Sequence, residues 1–567
     1  MVFHRAVTRP TRITAALLLA LLLGACAGLP PGVTPAPRDA DGAGTLTLPS
    51  GREVAVLPED LEYTGSARFV WPDGRTYDGE WVAGQPHGEG VETRPDGARY
   101  QGAWRDGRYH GHGTERTPDG QRYVGDFVEG VRQGSGVMTG PEGTYRGGWA
   151  NDLPHGSGTF EGSDGTVYEG GWRQGQRYGY GRYTMADGTV YDGEWAADRP
   201  NGFGRLESPE GAAYEGEWQQ GQRHGYGRAE GPPGLVYEGT WRHDERQGYG
   251  IEHRPDGSSY EGDWQQDLRH GQGREDRPDG AFHEGAWEFN QALGPGRRRA
   301  ATGIEISGMW NDDSVSTGLL TLPTGLEYAG PLFSDGNRKA SPRLAAWLEG
   351  AAGRGDPYAQ LMLGTLYLDF DTPPPDLGAA RRWLGHAAEA GIAEAQYRLA
   401  LTFEGENPPR VVELLAEAAR QNHPGANETL GEYYDAGITV PPNPERAIGY
   451  YQRAVAAGSV PAHNNLAWLL ATTPRESLRN GPRAVELIRG IARYTGAWQY
   501  LDTLAAAWAA AGDFERAAAA AEDALAAAER QLGGDFGPEL DGLERRLARY
   551  REGLAWIEPP ADAGPGR

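Results

Sequence analysis

Aromatic and glycine residues alternate with polar residues along the first half of the chain, and this alternation returns every 23 residues. Residues 77–81 read Tyr-Asp-Gly-Glu-Trp, so the tyrosine, glycine and tryptophan point to one face of a strand and the carboxylates to the other. A second run, residues 88–94, ends at the turn sequence Pro95-Asp96-Gly97. Each repeat is therefore predicted to form a β-hairpin with one buried aromatic face.

Two aromatic columns recur with this period. The first contains Tyr77, Tyr100, Tyr123, Tyr145, Tyr168, Tyr191, Tyr214, Tyr237 and Tyr260. The second contains Trp81, Trp104, Phe127, Trp149, Trp172, Trp195, Trp218, Trp241, Trp264, Trp287 and Trp310. A period sustained through about ten copies indicates units that bury their apolar faces only against one another. We expect a long ribbon of stacked hairpins, in which glycines leave room for the rings.

The pattern Tyr-x-Gly-x-Trp-x-x-Gly-x-x-x-Gly-x-Gly is intact from Tyr168 to Gly181 and resembles the MORN repeat. The resemblance covers about residues 63 to 333. The copy at Tyr63 is truncated and the copies from Ile306 onward lose the Gly-x-Gly, as expected of capping units. MORN repeats have been linked to phospholipid binding and to self-association, so the resemblance makes a second copy of this chain one candidate partner.

After about Arg343, alanine, leucine, glutamate and arginine dominate, with apolar residues at helical spacing. Similar segments recur with their alanines 36, 31 and 36 residues apart, at Ala359, Ala395, Ala426 and Ala462. This spacing suits two helices and two turns per unit. Helix starts are predicted at Asp356, Asn443 and Asp513, because each can cap a helix that begins directly after it.

Residues 379–403 and 445–470 resemble Sel1-like repeats, and residues 500–525 resemble a tetratricopeptide repeat. The copy between Pro408 and Tyr434 is shortened and has Asn422 where glycine is expected. A last helix is predicted near residues 538–556. The resemblance implies an α-helical solenoid whose concave surface docks a protein or peptide.

The N-terminus has the form of a secretory signal. Arg5, Arg9 and Arg12 precede the apolar run 13–23, which is too short to span a bilayer. Leu23-Gly24-Ala25-Cys26 resembles a bacterial lipobox, which implies cleavage before Cys26 and lipidation of this cysteine; the alternative is an ordinary signal peptide with a chance cysteine. In lipoprotein sorting, aspartate after the cysteine favours the inner membrane, whereas Ala27 here favours the periplasmic face of the outer membrane.

Composition limits the functions that remain. The 567 residues include 87 glycines and only 38% hydrophobic residues, which excludes one large conventional core. The formal charge is −25, and a chain that begins at Cys26 would carry −28. Such a surface repels nucleic acid and anionic lipid headgroups. Cys26 is the only cysteine, so disulfides, thiolate metal sites and a cysteine nucleophile are excluded.

Two polar columns are candidates for chemistry. His87, His110, His155, His224 and His270 share one position of the repeat. Metal binding is one interpretation, but other residues interrupt the column and repeats lie about 10 Å apart, so we expect structural or surface histidines. The second column comprises Glu169, Asp192, Glu215, Glu238, Glu261 and Glu284. A calcium ladder or acid–base pairs are the alternatives to the solvent-facing positions that we expect there.

Aromatic residues also stand between the paired glycines of four successive repeats, at Tyr180, Phe203, Tyr226 and Tyr249. A platform for sugar rings or a peptide is one interpretation, but we expect core or edge packing. The Gly-x-Gly steps lack a third glycine at the spacing of a dinucleotide loop and do not open a helix. Nothing in the sequence indicates a cofactor, a metal centre or a catalytic constellation.

The sequence thus predicts a multidomain repeat protein, an elongated antiparallel β-hairpin (MORN) ribbon followed by an α-helical (Sel1-like/TPR) solenoid. The predicted segments are a signal peptide (1–25), lipidated Cys26 with a proline-rich tether (26–43), the β domain (44–333), a linker (334–342), helical repeats (343–531), and a C-terminal helix with a disordered tail (532–567). The predicted function is a non-enzymatic, membrane-anchored periplasmic scaffold that docks an envelope protein or peptide on its helical repeats. A module that binds cell-envelope glycan through the aromatic positions is the alternative.

Overall fold

The computed structural model describes residues 44–51, 53–56, 61–231, 233–334, 339–368, 376–532 and 537–559. The chain divides into two compact units. The N-terminal unit is the described part of Val7–Gly227 with Arg242–Asp244, and the C-terminal unit is Arg228–Trp241 with the described part of Glu245–Arg567. The predicted signal peptide, Cys26 and the tether lie outside the described residues, as does the end of the predicted tail.

The first half of the chain forms antiparallel strands. They are β1 Gly44–Thr47, β2 Glu53–Val56, β3 Gly65–Val70, β4 Thr76–Val82, β5 Gln85–Thr93, β6 Arg99–Arg105, β7 Arg108–Arg116, β8 Arg122–Val128, β9 Val131–Gly140, β10 Gly143–Ala150, β11 Leu153–Gly162, β12 Val167–Arg173, β13 Gln176–Thr184, β14 Val190–Ala196, β15 Arg199–Glu207, β16 Ala213–Gln219, β17 Gln222–Glu230, β18 Val236–Arg242, β19 Glu245–His253, β20 Ser259–Gln265, β21 Leu268–Asp276, β22 Phe282–Glu288, β23 Gln291–Arg299, β24 Glu305–Asn311, β25 Ser314–Thr321, β26 Glu327–Pro331, β27 Phe333–Ser334 and β28 Lys339–Ala340.

Consecutive strands pair in hairpins, as the repeat pattern predicts, for example β4 with β5. The second strand begins at Gln85, three residues earlier than the sequence indicated. The reason is the two-residue turn Ala83-Gly84, in which both residues have positive φ, 48° and 76°. Such a turn matches the twist of the strands, so pairing starts immediately after it, with Val82 opposite Gln85.

The glycines of each repeat have two different roles. A β-carbon on Gly181 would lie 2.3 Å from the Tyr168 hydroxyl oxygen, and one on Gly170 would lie 2.5 Å from the Gly181 Cα. These two glycines make room for the ring, as predicted. Gly179 has open space around it but a φ of +74°, so it is required for its left-handed conformation next to a β-bulge.

The aromatic columns form the core of the sheet. The Tyr168 ring meets Trp172 of its own repeat edge to face at 5.2 Å and Trp195 of the next repeat at 5.4 Å. The indole N–H of Trp195 donates to the Gly181 carbonyl oxygen at 3.0 Å. Each such aromatic pair contributes about 0.5–1.5 kcal/mol beyond area burial. Because the Tyr168 ring packs across a repeat boundary, its hairpin does not complete its own core.

The C-terminal unit continues as helices joined by short turns. They are α1 Pro342–Gly353, α2 Pro357–Leu368, α3 Leu377–Glu389, α4 Ala393–Leu401, α5 Pro408–Arg420, α6 Pro424–Ala436, α7 Pro444–Ala456, α8 Val460–Thr472, α9 Gly481–Thr495, α10 Trp498–Ala510, α11 Phe514–Leu532 and α12 Gly537–Arg551. The fold class predicted from the sequence, an antiparallel hairpin sheet followed by helical repeats, is confirmed.

Local signals fix most of these helix boundaries. The side chains of Asp356, Asn443 and Asp513 accept hydrogen bonds from the backbone three residues later, so the three predicted starts are confirmed. Asn422 has a φ of +61° and takes the left-handed position expected of glycine. The last helix ends at Arg551, not near Trp556 as predicted, because the chain turns at Gly553 with a φ of +72°.

Strands and helices share one core within the C-terminal unit. Leu320 of β25 and Leu332, between β26 and β27, cluster with Leu344 and Leu348 of α1. Two glycines of the helical region, one in α9 and one in the turn between α7 and α8, contact turns of the strands. A β-carbon on Gly490 of α9 would lie 2.1 Å from the Pro233 carbonyl oxygen, and one on Gly458 would lie 2.6 Å from the Pro278 ring. The helical repeats of this unit therefore pack directly against the turns of its strands.

Candidate functional site

The first helices of successive pairs, α6, α8 and α10, line a groove together with α12. It encloses a cavity of about 500 Å³. The lining residues are Glu432, Asp435, Ala436, Tyr451, Asn464, Asn465, Trp468, Trp498, Gln499, Asp502, Thr503 and Arg546. The repeat pattern places these residues, because alternate helices of such pairs face the same side. Sequence analysis predicted a docking surface here without naming its residues.

A buried ion pair closes one side of the groove. Arg546 donates to both carboxylate oxygens of Asp502, at 2.8 and 2.7 Å. Burial raises the pKa of Asp502, although the Arg546 guanidinium opposes this shift. The guanidinium carbon also lies 5.6 Å from the centre of the Trp468 ring. Arg546 therefore fixes α12 against the floor of the groove.

The opposite side of the groove is acidic. The amide nitrogen of Asn465 donates to Glu432 at 3.2 Å, and the Ser459 hydroxyl donates to Glu428 at 2.5 Å. Burial raises the pKa of Glu432, and the negative charge of Glu428 raises it further. The Asn464 side-chain oxygen is buried without a hydrogen-bond partner. The groove thus offers amide and carboxylate acceptors to an incoming donor.

The five repeat-position histidines remain separate. The ring of His87 contacts the backbone N–H of Asp106, and His224 faces His243 with ring centres 6.1 Å apart. A nitrogen of His110 and one of His270 are buried without a hydrogen-bond partner. Among the described residues, no three histidine, cysteine or acidic side chains gather in a geometry suited to a metal ion.

The carboxylate column faces solvent, as the sequence predicts. Several of its carboxylates form ion pairs with arginines on neighbouring strands. Asp192 lies 3.4 Å from Arg182, and Glu215 lies 3.2 Å from Arg205. Exposed pairs of this kind contribute little to stability. The arginines offset part of the negative charge that the sequence assigned to this face.

The prediction for the aromatic residues between paired glycines is wrong. Tyr180, Phe203 and Tyr226, here named the aromatic row, are 66%, 54% and 55% exposed in the N-terminal unit. Tyr249 holds the equivalent position in the C-terminal unit and is also exposed. The physical reason is strand alternation. Gly181 lies beneath the Tyr168 ring on the core face, so its neighbour Tyr180 must point to the other face.

A column of buried and half-buried arginines was missed by sequence analysis. It comprises Arg132, Arg177, Arg223, Arg246 and Arg269. The Arg177 guanidinium lies 4.1 Å from the Trp195 ring centre, and its backbone and side chain both donate to Asp198 in the following turn. These arginines cover the open end of the aromatic core. Their partial 23-residue period was the available signal.

No helix in the described ranges combines the length and apolar character needed to cross a membrane. Together, the stacked strands and the paired helices define a repeat protein. A model of the MORN repeat matches residues 77–99, 100–122, 123–144, 145–167, 168–190, 191–213, 214–236, 237–259 and 260–282. A model of the Sel1 repeat matches residues 357–392, 393–423 and 426–459. The chain therefore carries MORN repeats followed by Sel1 repeats.

Solved structures similar to the chain include two repeat proteins. One is a Sel1 repeat protein from Oxalobacter formigenes, 23% identical, covering 36% of this chain and 92% of that one, with a TM-score of 0.28. The other is a protective antigen from uropathogenic Escherichia coli strains, 22% identical, covering 37% of this chain and 45% of that one, with a TM-score of 0.29. A comparison with curated proteins found no match. The matching families are non-catalytic repeats, consistent with a protein-binding scaffold.

Proposed function

We propose that this protein is a non-enzymatic, lipid-anchored scaffold of the cell envelope that holds another protein in the groove of its helical repeats. The observation that carries the binding role is the cavity of about 500 Å³, where Trp468 and Trp498 stand beside amide and carboxylate groups. Sel1 and TPR repeats generally bind proteins, and helix pairs of this kind receive extended segments. Aromatic side chains in a concave site supply most of the contact energy.

The partner segment is expected to carry lysine or arginine. Glu432 and Asp435 both line the groove, and Glu432 accepts from the neutral Asn465 amide, whereas Asp502 is paired with the Arg546 cation. The raised pKa of Glu432 reflects burial and neighbouring negative charge, which a cationic side chain would relieve. Charge complementarity of this kind gives specificity and a rapid association that weakens with salt.

Site-specific photo-crosslinking in cells that produce the full chain tests this role. A photoreactive residue at Gln499, which lines the groove, is expected to capture a defined envelope protein. The same residue at Glu486, exposed on α9 and outside the groove lining, is the matched control. The adduct from position 499 should disappear when Glu432→Gln and Asp435→Asn are combined. Equal capture from both positions, or none from position 499, would contradict the groove as the binding site.

The anchoring part of the proposal rests on the sequence before Cys26, where a basic flank, an apolar run and small residues precede the cysteine. Lipidation of Cys26 would hold the chain at a membrane, and Ala27 favours the periplasmic face of the outer membrane. Cell fractionation with Cys26→Ser should move the protein to the soluble fraction. Ala27→Asp should instead move it to the inner membrane. A serine variant that stays on membranes after a high-salt wash would refute lipid anchoring.

A further inference from the structure

The aromatic row is interleaved with carboxylates on the outer face of the N-terminal unit. Tyr180 pairs across the strands with Glu194, and Phe203 pairs with Glu217. The Glu194 carboxylate accepts a hydrogen bond from the backbone N–H of Phe203 at 3.2 Å. Glu217 accepts one from the backbone N–H of Tyr226 at 3.1 Å. Each glutamate is therefore held between two successive rings.

The spacing of the row follows from the sheet. Phe203 lies two strands from Tyr180, which corresponds to about 10 Å at the usual distance between neighbouring strands. Glycine precedes and follows each ring along its strand. Three large aromatic side chains exposed at regular intervals are unusual for a surface that faces only water.

Polar groups flank the row on the same face. Two residues farther along β13, Arg182 lies 3.4 Å from Asp192 of β14. Along β15, Arg205 lies 3.2 Å from Glu215 of β16. A ligand stacked on the rings would meet carboxylate acceptors between them and guanidinium donors beside them. The surface thus combines flat apolar patches with hydrogen-bonding groups of both kinds.

We propose that the aromatic row binds a β-1,4-linked glycan strand of N-acetylated hexosamines. Such a strand is a flat ribbon, and its disaccharide repeat is comparable in length to the spacing of the rings. Every second sugar would place its C–H face on an aromatic ring, where the slightly positive hydrogens meet the negative π-face. Its hydroxyl and acetamido N–H groups would donate to Glu194 and Glu217.

A proline-rich peptide is the competing ligand, because a polyproline helix also repeats about every 9 Å. The interleaved carboxylates disfavour it. Proline has no backbone N–H, so such a helix presents carbonyl acceptors to Glu194 and Glu217, which are acceptors themselves. A glycan supplies donors at the same places. The hydrogen-bonding character of the row therefore selects the glycan.

Isothermal titration of the full chain with a hexamer of β-1,4-linked N-acetylglucosamine tests the proposal. Saturable binding is expected, and Phe203→Ala should raise Kd about tenfold, equivalent to about 1.4 kcal/mol. Tyr226→Ala should act similarly. Phe289→Ala is the control, because Phe289 is 59% exposed but lies in the turn between β22 and β23. This variant should leave Kd within twofold of the original.

Thermal unfolding of the alanine variants should stay close to that of the original chain, since the rings are exposed, so lost binding cannot be attributed to unfolding. Equal affinity for an α-1,4-linked glucose hexamer would overturn the match of spacing and linkage. Equal affinity for a β-1,4-linked glucose hexamer would overturn recognition of the acetamido group. Binding of a polyproline nonapeptide in place of the glycan, or binding that Phe203→Ala leaves unchanged, would overturn the proposal itself.

Discussion

Glycine serves different purposes at Gly204 in the repeated strands and at Gly385 in the repeated helices. In the sheet, Gly204 exists so that the Tyr191 ring can cross it, and the core is made of large rings. In the helices, the core is made of leucine and alanine, and Gly385 in α3 has nothing within 4 Å of where its β-carbon would be. Close packing at Gly204 thus depends on the absence of a side chain, whereas the space around Gly385 admits a methyl group. Substitution by alanine should therefore have opposite effects at these two positions.

The largest expected effect comes from the arginine column of the sheet. Arg246 lies 3.9 Å from the Trp264 ring centre and pairs with Glu252 and Asp267. Arg246→Ala leaves buried carboxylates without this partner and should lower the free energy of unfolding by about 3–5 kcal/mol. Denaturant unfolding followed by tryptophan fluorescence measures it. Arg182→Ala, which removes one side of an exposed pair, should cost less than about 1 kcal/mol, and equal losses would contradict the assignment.

A second test uses His283, which stands 23 residues after Tyr260 and so continues the first aromatic column. Burial lowers the pKa of His283 to about 4. Both ring nitrogens are buried without hydrogen-bond partners. The unfolded chain binds the proton near pH 6.5, so this stability is present above that pH and is lost as pH falls towards 4, by up to about 3 kcal/mol.

His283→Tyr restores the residue type of the column and removes the titrating group. Unfolding measured between pH 7 and pH 4 should therefore depend less steeply on pH in the variant than in the original chain. A slope that the substitution leaves unchanged would show that His283 does not govern acid sensitivity in this part of the sheet.

Gly204→Ala tests the packing role of glycine. The added carbon would lie 2.3 Å from the Tyr191 hydroxyl oxygen, so the substitution should destabilise the sheet by about 2 kcal/mol. Tyr191→Phe in the same chain removes the nearest atom and should recover part of the loss. Thermal unfolding of the two single variants and the double variant measures this coupling. Strictly additive losses would contradict a steric origin.

The smallest effect is expected from the matched substitution in the helices. Gly385→Ala, inside α3, meets open space and should raise stability by about 0.5–1 kcal/mol, because alanine favours the helix more than glycine does. Thermal unfolding of the full chain provides the measurement. A loss of stability would contradict the open space that surrounds Gly385.

Features with a strict local period could be predicted from the sequence. Tyr168 and Trp172 identify strands, faces and hairpins because alternation and turn residues act over only a few positions. Asp356 and Asn443 identify helix starts for the same reason. The left-handed turn residues, such as Ala83, were missed because alanine carries no turn signal.

Features that depend on packing between elements could not be predicted. Phe203 is exposed because the Tyr191 ring covers its neighbour Gly204 on the core face. This contact joins two strands, and the composition of either strand does not reveal it. The pairing of Asp502 with Arg546 joins α10 to α12, and no periodic pattern connects those positions. The shared core of Leu320 and Leu344 likewise joins a strand to a helix. The sequence boundary near residue 343 therefore marks a change of pattern within one packed unit.

Turns of the strands contact glycines of the helical region, and these contacts restrict how strand repeats can be duplicated or lost. Pro233, Pro255 and Pro278 belong to three successive repeats, and Gly490 meets the first two while Gly458 meets the third. The positions of these contacts therefore match the spacing of three successive hairpins. Gaining or losing one copy of the repeat there would shift every later turn away from its glycine. The contacts with the helical region thus restrict the number of strand repeats in this stretch. A repeat array that packs against no second structure has no such restriction.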